Sequence, residues 1–285
     1  MWKKMQLSIE TYTLRKRYGD QKAIEMLKKA GFDSIDYSFY WLDESDVALC
    51  EQYKEHAQKV RKFLDANNMT CNQAHAPFTL NYGCQFDISD KEYEKIVRAM
   101  ESAAIMGAEG IVVHAIAVPK GVDLFEYNLQ FYKSLEGYAE KFGICIAIEN
   151  LWDYDSKRKY IYGRLHTPEV LYKMLDALQS PWFVICIDIG HAAITGYEPE
   201  EMIRLLDNKV LRALHLHDND YRSDKHGLPY TGDFNWDEIM KALKDIEYQG
   251  DFTLEVFSYL NKIENEFMEE ALTYVAKIGR YLLQK

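Results

Sequence analysis

The chain repeats one pattern from end to end: a short apolar run, a break, then an amphipathic stretch with the spacing of a helix face. Apolar runs fall at residues 6–11, 34–39, 70–76, 110–116, 144–150, 184–189, 211–218 and 252–257. The stretches 20–30, 46–67, 91–106, 124–141, 168–179, 199–207, 236–246 and 263–283 read as helices. Gly31, Gly107, Gly143 and Gly250 each follow a helical pattern, where a left-handed residue is wanted and glycine has no Cβ to clash. Pro168 and Pro199 stand at the first turn of the helices they open, where the missing N–H does no harm. Strands alternating with helices through short connections run parallel. Eight such units predict a single closed (β/α)8 barrel over residues 1–285, and no glycine-rich phosphate loop of an open doubly wound sheet follows any run.

Barrel enzymes assemble their sites at the C-terminal ends of the strands. Six successive runs here end in a metal-capable side chain: His75, His114, Glu149, Asp188, His217 and Glu255. Period-two alternation places Glu149 on the face of Ala147 and Cys145, Asp188 on that of Cys186, and His217 with His215 and Ala213, a face that points into the barrel. Several carboxylates cannot share so confined a space without a compensating cation. Imidazole and carboxylate without thiolate suit Zn2+, Mn2+, Co2+ or Mg2+. His191, three residues after Asp188, and Asp224 and His226, on the loop after the seventh run, add to the same site. A lone strand histidine is more often a satisfied core residue than a ligand, so the ordered series carries the inference. His215 lies one layer deeper and reads as structural, and His56 and His166 read as surface residues.

Composition narrows the partners. With 48% hydrophobic and 28% charged residues in 285, the chain can bury a large core. A net charge of −11 repels a phosphate backbone, so nucleic acid is disfavoured. The start Met1-Trp2-Lys3-Lys4 leads into no apolar signal region and no run long enough to span a membrane, which predicts a cytoplasmic protein. Cysteines 50, 71, 84, 145 and 186 form no C-x-x-C pair and read as reduced, with Cys71, Cys145 and Cys186 as buried fillers.

Seven motifs, AHAPFTLN at 74–81, VVH at 112–114, IEN at 148–150, DIGH at 188–191, LHDND at 216–220 followed by D-x-H at 224–226, GDFNW at 232–236 and LEVF at 254–257, occur in order over the whole chain. Through them the sequence resembles the xylose isomerase-like barrel superfamily, specifically its sugar phosphate isomerase/epimerase proteins and their relative endonuclease IV. The resemblance implies a small sugar or sugar-phosphate substrate and one divalent ion held by Glu149, Asp188, His217 and Glu255. Glu149 and Glu255 would then be an acid/base pair acting through a metal-stabilised enediolate, with His191 hydrogen-bonded to a substrate oxygen. The chain departs from such epimerases where they carry a Glu six residues after the first metal Glu and an Arg six after the metal His: Asp155 and Ser223 stand there, with Arg222 one place short.

Endonuclease IV implies an alternative, a three-zinc cluster on His75, His114, Glu149, Asp188, His191, His217, Asp224, His226 and Glu255 that hydrolyses a phosphodiester of abasic DNA. A DNA-bending enzyme needs Lys and Arg on the loops around its site. Loop 77–90 has none and offers Phe78, Tyr82 and Phe86 instead, a lid suited to a small organic substrate, with Tyr40 and Trp41 added to the rim. Loop 153–164, with Lys157, Arg158, Lys159 and Arg164, reads either as solvated surface or as a phosphate grip. The apolar positions Phe267, Leu272, Val275, Ile278 and Leu282 would cover the barrel or face a second subunit of a homo-oligomer.

Overall fold

A computed structural model describes residues 5–78, 89–118, 121–155, 157 and 160–285, residue 160 by its backbone alone. Its strands are β1 (Leu7–Ile9), β2 (Ser34–Ser38), β3 (Thr70–His75), β4 (Gly110–Val113), β5 (Cys145–Glu149), β6 (Leu151–Asp155), β7 (Tyr160–Arg164), β8 (Phe183–Asp188), β9 (Leu211–His215) and β10 (Phe252–Leu254). Strands β2-β3-β4-β5-β8-β9 form one parallel sheet, and β1 pairs in parallel with β10. Parallel bridges Glu10 to Asp36 and Leu216 to Leu254 join the two sheets and close the ring. The eight staves coincide with the eight apolar runs, and the fold is the TIM barrel.

The helices are α1 (Tyr12–Ala30), α2 (Tyr53–Ala66), α3 (Lys91–Met106), α4 (Leu124–Phe142), α5 (Pro168–Leu178), α6 (Ile189–Ile194), α7 (Pro199–Leu205), α8 (Trp236–Asp245), α9 (Phe257–Leu260) and α10 (Met268–Leu282). Large apolar side chains fill the shell between strands and helices, while Val112, Ala147, Cys186 and Ala213 form a separate small cluster inside the ring. Small residues at that level let opposite strands approach and leave the layer above for polar side chains. None of the described helices is long and apolar enough to cross a membrane.

The structure departs from the sequence expectation at several places for local reasons, and it decides between the two readings of the α10 stripe. Helix α1 begins at Tyr12, not at residue 20, and Gly19 breaks it (φ 75°, ψ 167°), so the apolar periodicity shows only its second part. The segment expected as a loop at 153–164 carries strand instead: β6 and β7 pair antiparallel from Leu151–Arg164 to Asp155–Tyr160, hidden by their shortness and polar residues. Gly250 caps no helix, since α8 closes at Ile246. A Cβ at Gly250 would lie 2.6 Å from the Arg212 carbonyl, so the glycine serves close packing beside β10. The stripe of α10 packs on α1 and β1, burying Leu272, Val275 and Leu282 and leaving Phe267 exposed; it covers the barrel. His56 is likewise no surface residue: its Nε2 lies 3.3 Å from Asp20 Oδ2, with its side chain only 12% exposed.

Candidate metal centre

Parallel register brings the strand ends to one rim. His75, Glu149, Asp188 and His215 are the last residues of β3, β5, β8 and β9, while His114 and Glu255 directly follow β4 and β10. All are buried except the half-buried His114. His191 stands on α6, and His217, Asp224 and His226 arrive on the loop after β9. Asp218 accepts hydrogen bonds from Tyr230 N (2.8 Å), Phe234 N (3.2 Å) and Trp236 Nε1 (2.9 Å), which ties the LHDND and GDFNW motifs into one turn and returns Asp224 and His226 to the site. The glycine of DIGH is required by packing: a Cβ on Gly190 would lie 2.0 Å from Cε1 of His217.

Glu149 is the centre of the array. Its Oε2 lies 2.5 Å from His114 Nε2 and its Oε1 2.9 Å from His215 Nδ1. His75 Nε2 is 3.1 Å from His114 Nε2. His215 Nδ1 also lies 3.5 Å from Glu255 Oε2, so one imidazole nitrogen stands between the two glutamates. His217 Nε2 is instead 3.0 Å from Asp188 Oδ1, and its ring stacks on His226 at 4.0 Å. Asp224 lies 3.1 Å from His226 Nε2 and 3.5 Å from His191 Nε2.

The sequence expectation grouped His217 with the two glutamates and left His215 to structure; the structure groups them the other way. Alternation places both histidines on the inner face but says nothing of height, which depends on the stagger between neighbouring strands. The register pairs Asp188 with His215, so His215 is level with the carboxylates and His217 lies above them.

Whether these residues fit a metal can be read from their hydrogen bonds. Nδ1 of His75 is 2.8 Å from the Ala76 carbonyl, that of His191 3.0 Å from the Asn150 carbonyl and that of His226 3.2 Å from the Glu255 carbonyl. A carbonyl only accepts, so each Nδ1 carries the hydrogen and each Nε2 of the neutral ring offers a lone pair. Those lone pairs meet carboxylate oxygens or, at His75, another imidazole nitrogen. Acceptors facing acceptors in a buried space need a cation between them. Glu149 Oε2, His217 Nδ1 and Asp224 Oδ1 are buried and have no hydrogen-bond partner. Ligand atoms of His75, His114 and Glu149, of Asp188, His215 and Glu255, of Asp188, His191 and His226, and of His217, Asp224 and His226 each lie within 4.8 Å of one another. The donor set fits divalent metal.

The electrostatics express the same demand. Burial pushes His191 down, but Asp188 and Asp224 overcome it and raise its pKa to about 10. Burial lowers His114 to about 4 against the pull of Glu149. Glu149 is driven up by burial yet held well below the usual range by His215 and His114. Glu255 goes well above it, because burial, helped by Asp188 and Glu149, outweighs His215. Burial pushes the Cys186 thiol up to about 12, so it stays neutral beside His215.

Above this array opens a cavity of about 380 Å³ whose lining includes Trp41, Phe78, Trp152, Tyr154 and Phe257. Tyr40 stacks on Phe78 at 5.0 Å from below the rim. Arg164, at the end of the hairpin, is the one Lys or Arg among the described lining residues. Its Nη1 donates to the Ala115 carbonyl (3.1 Å) and its Nε lies 3.5 Å from Asp153. Tyr82, Phe86, Arg158 and Lys159 lie outside the described residues. Arg222 and Ser223 are exposed on the loop after β9.

Comparison with known proteins agrees with the fold. A protein of Methanocaldococcus jannaschii, MJ1311, is 28% identical over 211 residues, 70% of each chain. A Synechocystis protein named "Probable ketose 3-epimerase" is 20% identical over 273 residues, 91% of this chain and 86% of its own. The crystal structure of a D-tagatose 3-epimerase-like protein covers 98% of both chains with a TM-score of 0.73 at 21% identity, a likeness of fold. Residues 24–278 match a family described as the xylose isomerase-like TIM barrel, and the chain belongs to that family.

Proposed function

We propose that the protein is a divalent-metal-dependent isomerase or epimerase of a sugar or sugar phosphate. One observation carries this reading: the carboxylates of Glu149 and Glu255, from different strands, approach the same nitrogen of His215 at 2.9 and 3.5 Å on the floor of an aromatic-rimmed cavity. Glu149, Asp188, His215 and Glu255 would hold the ion. When bound, it supplies positive charge against the oxygens that become anionic as a proton leaves the carbon beside a sugar carbonyl.

Glu149 takes that proton, the C–H electrons pass into the enediolate, and Glu255 returns a proton to the other face. His191, its Nδ1 fixed by the Asn150 carbonyl, turns Nε2 toward the cavity and hydrogen-bonds a substrate oxygen. The aromatic rim excludes water, and Arg164 holds the far hydroxyl or phosphate end of the substrate. Similarity to proteins named as epimerases supports the same chemistry.

A second reading is favoured by the flanking groups His75–His114–Glu149 and His217–Asp224–His226, which extend the ligand array beyond one ion toward the zinc cluster of endonuclease IV. Against it, the described lining offers a phosphate backbone one arginine and no lysine. Mass spectrometry of gently purified protein, with turnover tested on ketoses, ketose phosphates and an abasic duplex, separates the two. Bound metal with sugar turnover that falls at least about 100-fold in Glu149→Gln and Glu255→Gln supports the isomerase. About three zinc ions with duplex cleavage replaces it by the nuclease, and no metal after reconstitution overturns both.

A further inference from the structure

His75, His191 and His226 are each oriented by a backbone carbonyl at Nδ1. His215 has the opposite arrangement. Its Nδ1 faces Glu149 and Glu255, and its Nε2 lies 3.4 Å from Oδ2 of Asp36. Asp36 sits in the middle of β2 and is 1% exposed, and no Lys or Arg is paired with it among the described residues. Gln73 on β3 donates from Nε2 to Asp36 Oδ2 at 2.6 Å and reaches the Leu214 carbonyl at 3.4 Å. A single amide therefore pins both the carboxylate and the backbone directly before His215, across the barrel. His215 Nε2 and Asp36 Oδ1 are both buried and make no hydrogen bond, so the 3.4 Å approach of Nε2 to Asp36 Oδ2 is the one carboxylate contact at hand for that nitrogen among the described residues. The buried carboxylate of Glu10, the residue bridged to Asp36 in the barrel wall, is engaged differently, by Tyr12 N at 2.7 Å and Tyr40 OH at 3.0 Å.

We propose that Asp36, held by Gln73, is the positioning residue of His215. It takes the Nε2 hydrogen, which fixes the tautomer, aims the Nδ1 lone pair at the point shared by Glu149 and Glu255, and makes that nitrogen a better donor to a cation. The need is mutual: a buried carboxylate without Lys or Arg is poorly tolerated unless a polarised N–H faces it. An outer carboxylate of this kind acts through the ligand and touches neither substrate nor ion. The inference rests on the metal reading of the preceding section.

The test is zinc affinity, measured by chelator competition on the full chain, beside thermal unfolding of the metal-free protein. Asp36→Asn is expected to bind zinc about 10- to 100-fold more weakly than the wild type, with the metal-free melting temperature unchanged or raised. Asp36→Glu should recover part of the affinity. Gln73→Leu, which keeps the carboxylate but frees it, should lose affinity by a smaller factor, and it carries the test should Asp36→Asn fail to fold. Wild-type zinc affinity in Asp36→Asn, or in Gln73→Leu, overturns the positioning role and leaves the metal reading intact. A wild type that binds no zinc overturns the metal reading itself.

Discussion

At the scale of single residues, two assignments separate what the site needs from what surrounds it. His215 and His217 differ by two positions on one strand face, yet the register places only His215 beside both glutamates. Replacing His215 by Gln should lower bound metal, measured by mass spectrometry after mild dialysis, far more than replacing His217. The reverse order would restore His217 as the ligand of the central ion. Arg164 is the second case. Its guanidinium is anchored by the Ala115 carbonyl, its Nε lies 3.5 Å from Asp153, and the side chain lines the cavity. Arg164→Gln should raise KM for a phosphorylated substrate at least about 10-fold while changing kcat little, the signature of lost ground-state binding. An unchanged KM would remove Arg164 from recognition.

At the scale of elements, α10 and the β6–β7 hairpin divide stability from function. Leu272 is fully buried where α10 meets α1 and β1, whereas Phe267 is 58% exposed. Leu272→Ala should destabilise the protein by about 2–5 kcal/mol in denaturant unfolding, through lost transfer energy and the cavity left behind. Phe267→Ala should stay within about 0.5 kcal/mol, and a larger loss would mean that Phe267 is covered in solution. The apolar stripe of α10 was legible from its spacing, but which surface it meets was not. The hairpin is illegible for the converse reason: in its first strand only Leu151 is buried, so the alternation that marks a barrel strand is weak.

At the scale of the whole molecule, acid tolerance depends on charge pairs that lock helices to the barrel. Asp20, next to the break in α1, lies 2.6 Å from Arg15 Nε, 2.8 Å from Tyr37 OH and 3.3 Å from His56 Nε2. Burial alone would raise its pKa, but Arg15 and His56 hold it well below the usual carboxylate range. The folded protein thus binds this proton less readily than the unfolded chain. Its contribution to stability is complete above about pH 4, the unfolded value, and is lost as pH falls further toward the folded one. Asp20→Asn should flatten the acid limb of a stability profile below about pH 4, and an identical limb would assign acid unfolding to other carboxylates.

The eight-stave barrel is written in local apolar spacing, because its staves are largely buried on both faces and its helices on one. The same spacing puts His75, His114, Glu149, Asp188 and Glu255 at strand ends, which a parallel barrel sends to one rim, but it does not single out His215. How those side chains pair follows from contacts between strands. Strand stagger set the height of His215 against Asp188, and a cross-barrel hydrogen bond placed Gln73 between Asp36 and the strand that bears His215. Stagger and cross-barrel contact join residues far apart in the chain, so no local period records them.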